Sequence, residues 1–311
     1  MKNRVTEILG TEHPIIQGAM RMITLGQMAA AVSRSGAFGV IGASGLEGER
    51  LRAEIRKART LTDKPFGINI PIYRPNAFEA LEIAIEEGVK TIITSAGDPG
   101  KMIGRVKEAG VKMLQVVAVV DMAKKAESVG VDGVIAVGFE GGGHVGRDEV
   151  ATMVLVPQVV DAVKIPVIAA GGIGDGRGLV AAMALGAEGI QMGTRFLATK
   201  ECPIPEVYKQ AILEAKDNST MIAAKKGFPL RVFKSNAAMT IRNMEETGAT
   251  LEEINAYVDN ILRGSQDDPG NRLMSAGQVA GMIKGIVSID EVIRNMVAEA
   301  RSIAQSLGKT F

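Results

Sequence analysis

Two glycine runs and one histidine carry the chemistry that can be read directly from this chain. The first run is Gly138-Phe139-Glu140-Gly141-Gly142-Gly143-His144-Val145-Gly146-Arg147, where the absence of side chains lets backbone approach a ligand and leaves His144 on a loop. An imidazole with an ordinary pKa of about 6.5 exchanges a proton with a substrate at neutral pH, and it can equally serve only to hydrogen-bond a neighbouring loop. The second run is Ile168-Ala169-Ala170-Gly171-Gly172-Ile173-Gly174-Asp175-Gly176, followed by Gln191-Met192-Gly193-Thr194-Arg195-Phe196. Glycines after two successive apolar runs expose N–H groups, and the Thr194 hydroxyl adds a donor, so an anion such as phosphate can sit there without a lysine. Tight turns with no ligand would use the same residues. The pattern therefore speaks for an anion and does not say which one.

Other reactive residue types are sparse. Two histidines and one cysteine lie too far apart for metal-ligand spacing, so no metal site is expected. His13 precedes Pro14 and reads as structural, and Cys202 reads as a packing or surface residue. Among sixteen methionines, Met192 and Met282 read as gap fillers, whereas Met20 follows the first apolar run and is worth watching as a site residue.

Residues of this kind need elements to bring them together. From Pro14 to about Thr199 one phrase recurs at intervals of roughly 25 residues: a short apolar run, a Gly-rich turn, then helical spacing. The runs are 15–17, 38–41, 66–70, 91–94, 112–117, 133–137, 167–170 and 189–192. Helical spacing follows at 51–60, 76–87, 102–109, 122–129, 152–163 and 176–185. Eight βα units predict an α/β fold, a (β/α)₈ TIM barrel, whose chemistry lies at the carboxyl ends of the strands. A doubly wound sheet would show a dinucleotide glycine fingerprint after its first strand, and none is present. Gln17-Gly18-Ala19-Met20, Asn69, Ser95 and Gln115 fall in or just after apolar runs, where small and polar residues suit a flat ligand.

After Thr199 the rhythm changes. Segments 206–215, 235–246, 251–262 and 275–283 read as helices without intervening strands, which predicts a helical lid subdomain. The expected organisation is a barrel over 1–200, the lid over 201–285 and a C-terminal helix over 286–311 that packs back on the barrel. Gly264–Asn271 reads as a flexible loop.

Composition narrows the partners. The 311 residues carry 36 basic and 35 acidic side chains for a formal charge of +1, with no basic run to hold nucleic acid. Aromatics are only 4% and Trp is absent, which removes the usual stacking platforms and favours a small-molecule partner. No stretch reaches transmembrane length, so no membrane is expected. The charged segment Met1–Gly10 does not read as a signal peptide, and with a lone cysteine the expected location is cytoplasmic.

Five motifs in barrel order then carry a resemblance. Pro14-Ile-Ile-Gln17-Gly-Ala-Met20, Asp63-Lys-Pro-Phe-Gly-Ile-Asn69, Gly141-Gly-Gly-His144-Val-Gly146, Ala170-Gly-Gly172 and Gln191-Met-Gly-Thr194-Arg-Phe196 resemble the nitronate monooxygenase (2-nitropropane dioxygenase) family nearly end to end. That family includes flavin-dependent enoyl-acyl-carrier-protein reductases and NAD(P)H:quinone reductases, and 175–203 looks particularly like the quinone reductases. The resemblance implies FMN as cofactor, with Gly171, Gly172, Gly193 and Thr194 on its phosphate. It places Gln17, Gly18, Ala19, Met20, Asn69, Ser95, Gln115, Gly143, Ala170 and Gln191 around the rest. It also implies His144 as the catalytic residue facing the flavin's reactive side.

The leading expectation is oxidation of alkyl nitronates with O₂, His144 acting as base. The alternative is an NAD(P)H-dependent FMN reductase of enoyl thioesters or quinones, with NADH or NADPH as co-substrate. A non-redox phosphate-binding barrel is the third reading, and a homodimer remains open. Two departures matter: relatives often carry Gly-Gly-Met or Gly-Pro-Met and then an aromatic where this chain has Gly18-Ala19-Met20-Arg21-Met22, which puts the substrate pocket in doubt. The loop reads Gly-Gly-Gly-His where Ala-Gly-Gly-His is common, a change that keeps the imidazole.

Overall fold

Strands that are apolar on both faces must be covered on both, and a parallel sheet wrapped by its own crossover helices achieves this. The computed structural model describes residues 2–263 and 272–310. Its strands are β1 (Ile15–Gln17), β2 (Gly39–Gly42), β3 (Phe66–Pro71), β4 (Thr91–Ser95), β5 (Lys112–Val117), β6 (Gly133–Val137), β7 (Gly143–His144), β8 (Val167–Ala170), β9 (Gly189–Met192), β10 (Thr220–Ala223) and β11 (Leu230–Phe233). Eight of them pair in parallel in the order β1-β9-β8-β6-β5-β4-β3-β2. The ring closes where Phe38 bridges Ile16: the Phe38 N–H donates to the Ile15 carbonyl at 2.8 Å and the Gln17 N–H to the Phe38 carbonyl at 2.9 Å. The expected (β/α)₈ barrel is therefore present.

Side-chain alternation divides the core in two. Ile16, Val40, Ile93, Leu114, Ile135 and Ile168 fill the barrel interior, and Val5 and Leu9 of the helix Arg4–Leu9 join that same cluster. The opposite faces, with Ile15, Ile92, Met113, Val134 and Ile190, pack with the surrounding helices. The C-terminal helix Ile289–Leu307 starts with a capping box between Ser288 and Glu291. It packs on the helix Gly176–Ala184, where the Gly176 N–H donates to Glu299 Oε2 at 2.7 Å.

Two expectations for the segment after Thr199 need correction. It holds helices at Glu206–Leu213, Asn236–Glu246 and Leu251–Arg263, but also strands β10 and β11, which pair antiparallel with each other and then with β7. The physical reason is local: Thr-Met-Ile-Ala and Leu-Arg-Val-Phe are short β-favouring runs around a turn containing Gly227 and Pro229. Residues 275–283 do not form an α-helix either. Val232 bridges Ser275 and the Phe233 N–H donates to the Met274 carbonyl at 2.9 Å, so this stretch runs beside the hairpin before a 3₁₀ turn at Gln278–Met282. The loop expected at 264–271 lies outside the described residues. No helix among the described residues is long and apolar enough to cross a membrane.

Candidate functional site

Adjacent strands β8 and β9 pair in register, Ala170 beside Gln191, so their continuations Gly171-Gly172 and Gly193-Thr194 emerge side by side at the carboxyl rim. Gly171 and Gly172 take φ of +96° and +70°, a left-handed backbone open to glycine. Gly171 also has no room for a side chain, since a Cβ there would lie 2.9 Å from the Gly138 carbonyl oxygen. Among the described residues, the amides of Gly171, Gly172, Gly193 and Thr194 have no protein acceptor. Thr194 is buried and its Oγ1 accepts the Gly277 N–H at 2.9 Å, which leaves its own hydroxyl hydrogen to donate elsewhere. Four unpaired amides and a hydroxyl on two neighbouring strand ends form a donor set that suits an anion.

The glycine-rich loop lies against this rim. A Cβ on Gly142 would come within 2.5 Å of the Gly277 nitrogen and one on Gly277 within 2.8 Å of the Glu140 carbonyl oxygen, so the loop and the segment Ser275–Gly277 interlock only with glycine at both positions. Glu140 caps the helix Thr152–Ala162: its carboxylate accepts the Thr152 N–H at 2.9 Å and the Thr152 hydroxyl at 2.9 Å. That turns the negative charge toward a helix N-terminus, although the Glu140 side chain also borders Gly172.

His144 is the last residue of β7 and pairs with Leu230, while Gly143 pairs with Arg231. The buried Arg231 holds this arrangement. Its Nε and Nη2 donate to the Phe139 carbonyl at 3.0 and 2.9 Å, its Nη1 donates to Thr220 Oγ1 at 3.2 Å, and its guanidinium lies 4.9 Å from the Phe139 ring centroid. His144 itself keeps contact with solvent, and the Phe228 ring stands edge-on to it at 6.2 Å. Partial desolvation by the surrounding loops, with the positive charge of Arg74 second, lowers its pKa from the ordinary imidazole value. Both effects favour the neutral imidazole.

Beyond His144 the mouth is aromatic and cationic. Tyr73 and Phe228 stack with centroids 5.5 Å apart, Arg74 lies 4.9 Å from the Tyr73 centroid and Arg147 lies 6.0 Å from that of Phe228. Sequence reasoning missed Tyr73, Arg74, Phe228, Arg231 and Gly277. The position of Tyr73-Arg74, just past β3, was a usable signal, whereas Phe228 and Arg231 lie in a hairpin where no strand was expected, and Gly277 lies in a stretch expected to be helical.

Most of the remaining expected residues meet at the same rim. Gly18 lies against the Gln191 side chain, where a Cβ would find Cγ at 3.2 Å, and a Cβ on Gly193 would lie 3.9 Å from Met20 Sδ. A Cβ on Gly42 would lie 3.6 Å from Ala19 Cβ, and Asn69 Nδ2 donates to the Ile93 carbonyl at 3.2 Å and to Ser95 Oγ at 3.4 Å. Ala96, next to Ser95, adopts φ +50°, a strained value for a residue with a Cβ. Gln17 and Gln115 stand differently. Alternation puts them on the faces of Ile15 and Met113, toward the helices, and backbone takes up their amides: Gln17 accepts from the Val40 N–H at 3.1 Å, and Gln115 donates to the Val116 carbonyl at 3.0 Å.

Other features lie elsewhere. A cleft of about 550 Å³ lined by Arg59, Asp63, Lys64, Phe66 and Thr91 opens at the amino-terminal ends of β3 and β4, the opposite rim. Cys202 is buried and its thiol pKa is pushed up to about 11, mainly by desolvation, so it is a poor nucleophile. His13 is half-buried with Nδ1 unpartnered, and burial lowers its pKa. Among the described residues no group of His, Cys, Asp and Glu is placed to hold a metal ion.

Comparison with known proteins gives this geometry a setting. The sequence profile of the family described as nitronate monooxygenase matches residues 2–299. The chain is 32% identical over 343 aligned positions, covering 96% of each protein, to the (3aS,4S,5R,7aS)-5-hydroxy-7a-methyl-1-oxo-octahydro-1H-indene-4-carboxyl-CoA dehydrogenase of Mycobacterium tuberculosis. It is 33% identical to a Staphylococcus saprophyticus protein named "Probable nitronate monooxygenase", covering 97% of this chain and 99% of the relative. FabK from Thermotoga maritima superposes with a TM-score of 0.95 at 40% identity, covering all of both chains.

Proposed function

This chain belongs to the nitronate monooxygenase family and is an oxidoreductase, and from that premise we propose that it binds FMN and uses NADH or NADPH to saturate the double bond of an enoyl thioester. The observation that carries the reading is the mouth beside His144, where two aromatic rings and two arginines line the approach, more than a small nitronate needs. The likeness to a CoA-thioester dehydrogenase and to FabK supports it.

The residues present fit the cofactor. Unpaired amides at Gly171, Gly172, Gly193 and Thr194, with the Thr194 hydroxyl, would hold its phosphate. Gly18, Met20, Asn69, Ser95 and Gln191 would border the remainder, while Gln17 and Gln115 would brace the strand ends behind it. When bound, FMN would supply the hydride relay between nicotinamide and substrate. His144 would stand over the reacting carbons as a neutral imidazole whose N–H donates to the thioester carbonyl oxygen. Arg231 would set the height of its loop.

A second reading, nitronate oxidation with O₂, draws on the same imidazole at the rim: desolvation favours its neutral form, which can accept an α-proton. A non-redox barrel does not agree with a family of oxidoreductases. Anaerobic titration of the FMN-loaded protein with NADH, NADPH and an alkyl nitronate separates the two readings. Bleaching by a reduced nicotinamide with turnover of crotonyl thioester supports the reductase. Bleaching by nitronate alone refutes it.

A further inference from the structure

Among the described residues, neither Arg74 nor Arg147, the two cations on the aromatic mouth, has a carboxylate within ion-pair distance. The acid of this region is committed elsewhere: Glu149 pairs with Lys225. Arg74 Nε is buried without a hydrogen-bond partner, an arrangement that costs stability unless something else uses the group. Arg147 donates one bond, from Nη2 to the Gly227 carbonyl at 2.9 Å, which points it along the hairpin turn and leaves its other donors open.

The aromatic pair holds these two charges in place. Tyr73 follows β3 and Phe228 sits in the turn between β10 and β11, so their stack at 5.5 Å ties the barrel rim to the hairpin against which the His144 strand pairs. Both rings remain largely exposed, 45% and 55%, which is costly in water and useful at an entrance that closes on a ligand. Arg74 is close enough for its charge to act on His144, so an anion held by Arg74 would lie next to the proposed catalytic imidazole's approach.

We propose that Arg74 and Arg147, presented on the Tyr73–Phe228 stack, bind a phosphate group of the organic substrate or co-substrate and so direct its reactive end beneath His144. The inference deepens the reading given above and rests on it for the identity of that end. Phosphate is the ligand class because guanidinium forks match it bidentately and because the two charges carry no internal counter-ion. Two sources carry it: a nicotinamide dinucleotide, and a thioester on a phosphopantetheine-containing carrier such as CoA.

The test uses the FMN-loaded full chain, with R74Q, R147Q, the double variant and the conservative R74K and R147K. Binding of NADH, NADPH and crotonyl-CoA is measured by calorimetry, and KM and kcat are measured with crotonyl-CoA and with crotonyl-N-acetylcysteamine, which lacks phosphate. Retained flavin absorbance shows that each variant is folded. The expected result is a 10- to 100-fold loss of affinity for a phosphate-bearing ligand in the glutamine variants, about the loss of one or two charge-assisted contacts. The preference for crotonyl-CoA over the phosphate-free thioester should fall by a similar factor, the change lying in KM, with partial recovery in the lysine variants. Weakening confined to crotonyl-CoA assigns the thioester, and weakening confined to the dinucleotides assigns the nicotinamide. Equal change for phosphate-bearing and phosphate-free thioesters, or none for any ligand, overturns the proposal. If no thioester is turned over by the unaltered protein, the functional reading falls, while the calorimetry still decides the arginines.

Discussion

Arg231 offers the sharpest handle on how the His144 loop is held. Replacing it with Met keeps the stem volume and removes the fork on the Phe139 carbonyl and the bond to Thr220 Oγ1. A hydrogen bond to a charged group contributes roughly 1.5–3 kcal/mol and an ordinary one about 1 kcal/mol. Counting the fork once, the loop should lose about 3 kcal/mol of local order. Burial works against the charge and lowers the Arg231 pKa, so removing the guanidinium also relieves a desolvation cost. The loss should therefore show in the loop more than in the global melting transition. Hydrogen exchange reads this directly. The Val145 N–H, which donates to the Pro229 carbonyl at 3.1 Å, and the Gln278 N–H, which donates to the Glu140 carbonyl at 3.0 Å, report the two sides of the loop. In R231M both should exchange about 100-fold faster, with the barrel strands little changed. Exchange within threefold of the unaltered protein would refute the claim that Arg231 pins this loop.

Other consequences can be checked separately. Gly171→Ala forces a Cβ to within 2.9 Å of the Gly138 carbonyl at a φ of +96°, so it should lower FMN occupancy at least tenfold, read from absorbance of the purified protein. His144→Ala should cut turnover by roughly 10²–10³ with the flavin retained, and a loss below threefold would remove His144 from the reaction. Because the His144 pKa is lowered, neutral imidazole persists to more acid pH. Any inflection of kcat/KM that depends on His144 should thus lie below the ordinary imidazole value of 6.5, and one above 6.5 that His144→Ala abolishes would contradict that direction. Cys202, with a thiol pKa near 11, should resist iodoacetamide at pH 8, and Cys202→Ser should leave turnover within twofold.

The barrel was readable because each strand is a short apolar run with a turn behind it, and Ile15–Gln17, Lys112–Val117, Gly133–Val137, Val167–Ala170 and Gly189–Met192 have the bounds the pattern suggests. β2 begins one residue late, at Gly39, since Phe38 serves as the isolated bridge that closes the ring, a long-range fact no local pattern contains. The Gly171-Gly172 turn was readable as well, because a left-handed backbone at both positions dictates residue type. Gln17 and Gln115 show the limit: polar residues at strand ends suggested a ligand, but side-chain parity decides which way each faces, and theirs leads toward the helices. The hairpin side of the mouth was not legible. Phe228 and Arg231 meet the site only because β11 pairs with a two-residue strand, Gly143–His144, too short to leave a periodic trace.

The proposed phosphate site, on which the flavin assignment depends, is best tested by comparing FMN with riboflavin on the flavin-stripped protein, following quenching of flavin fluorescence. The two ligands share the ring and ribityl chain and differ only in the phosphate that the amides of Gly171, Gly172, Gly193 and Thr194 would hold. The account predicts that FMN binds about 100-fold or more tightly than riboflavin, and that Gly171→Ala narrows this gap. Equal affinity for the two, or uptake of neither, would contradict it.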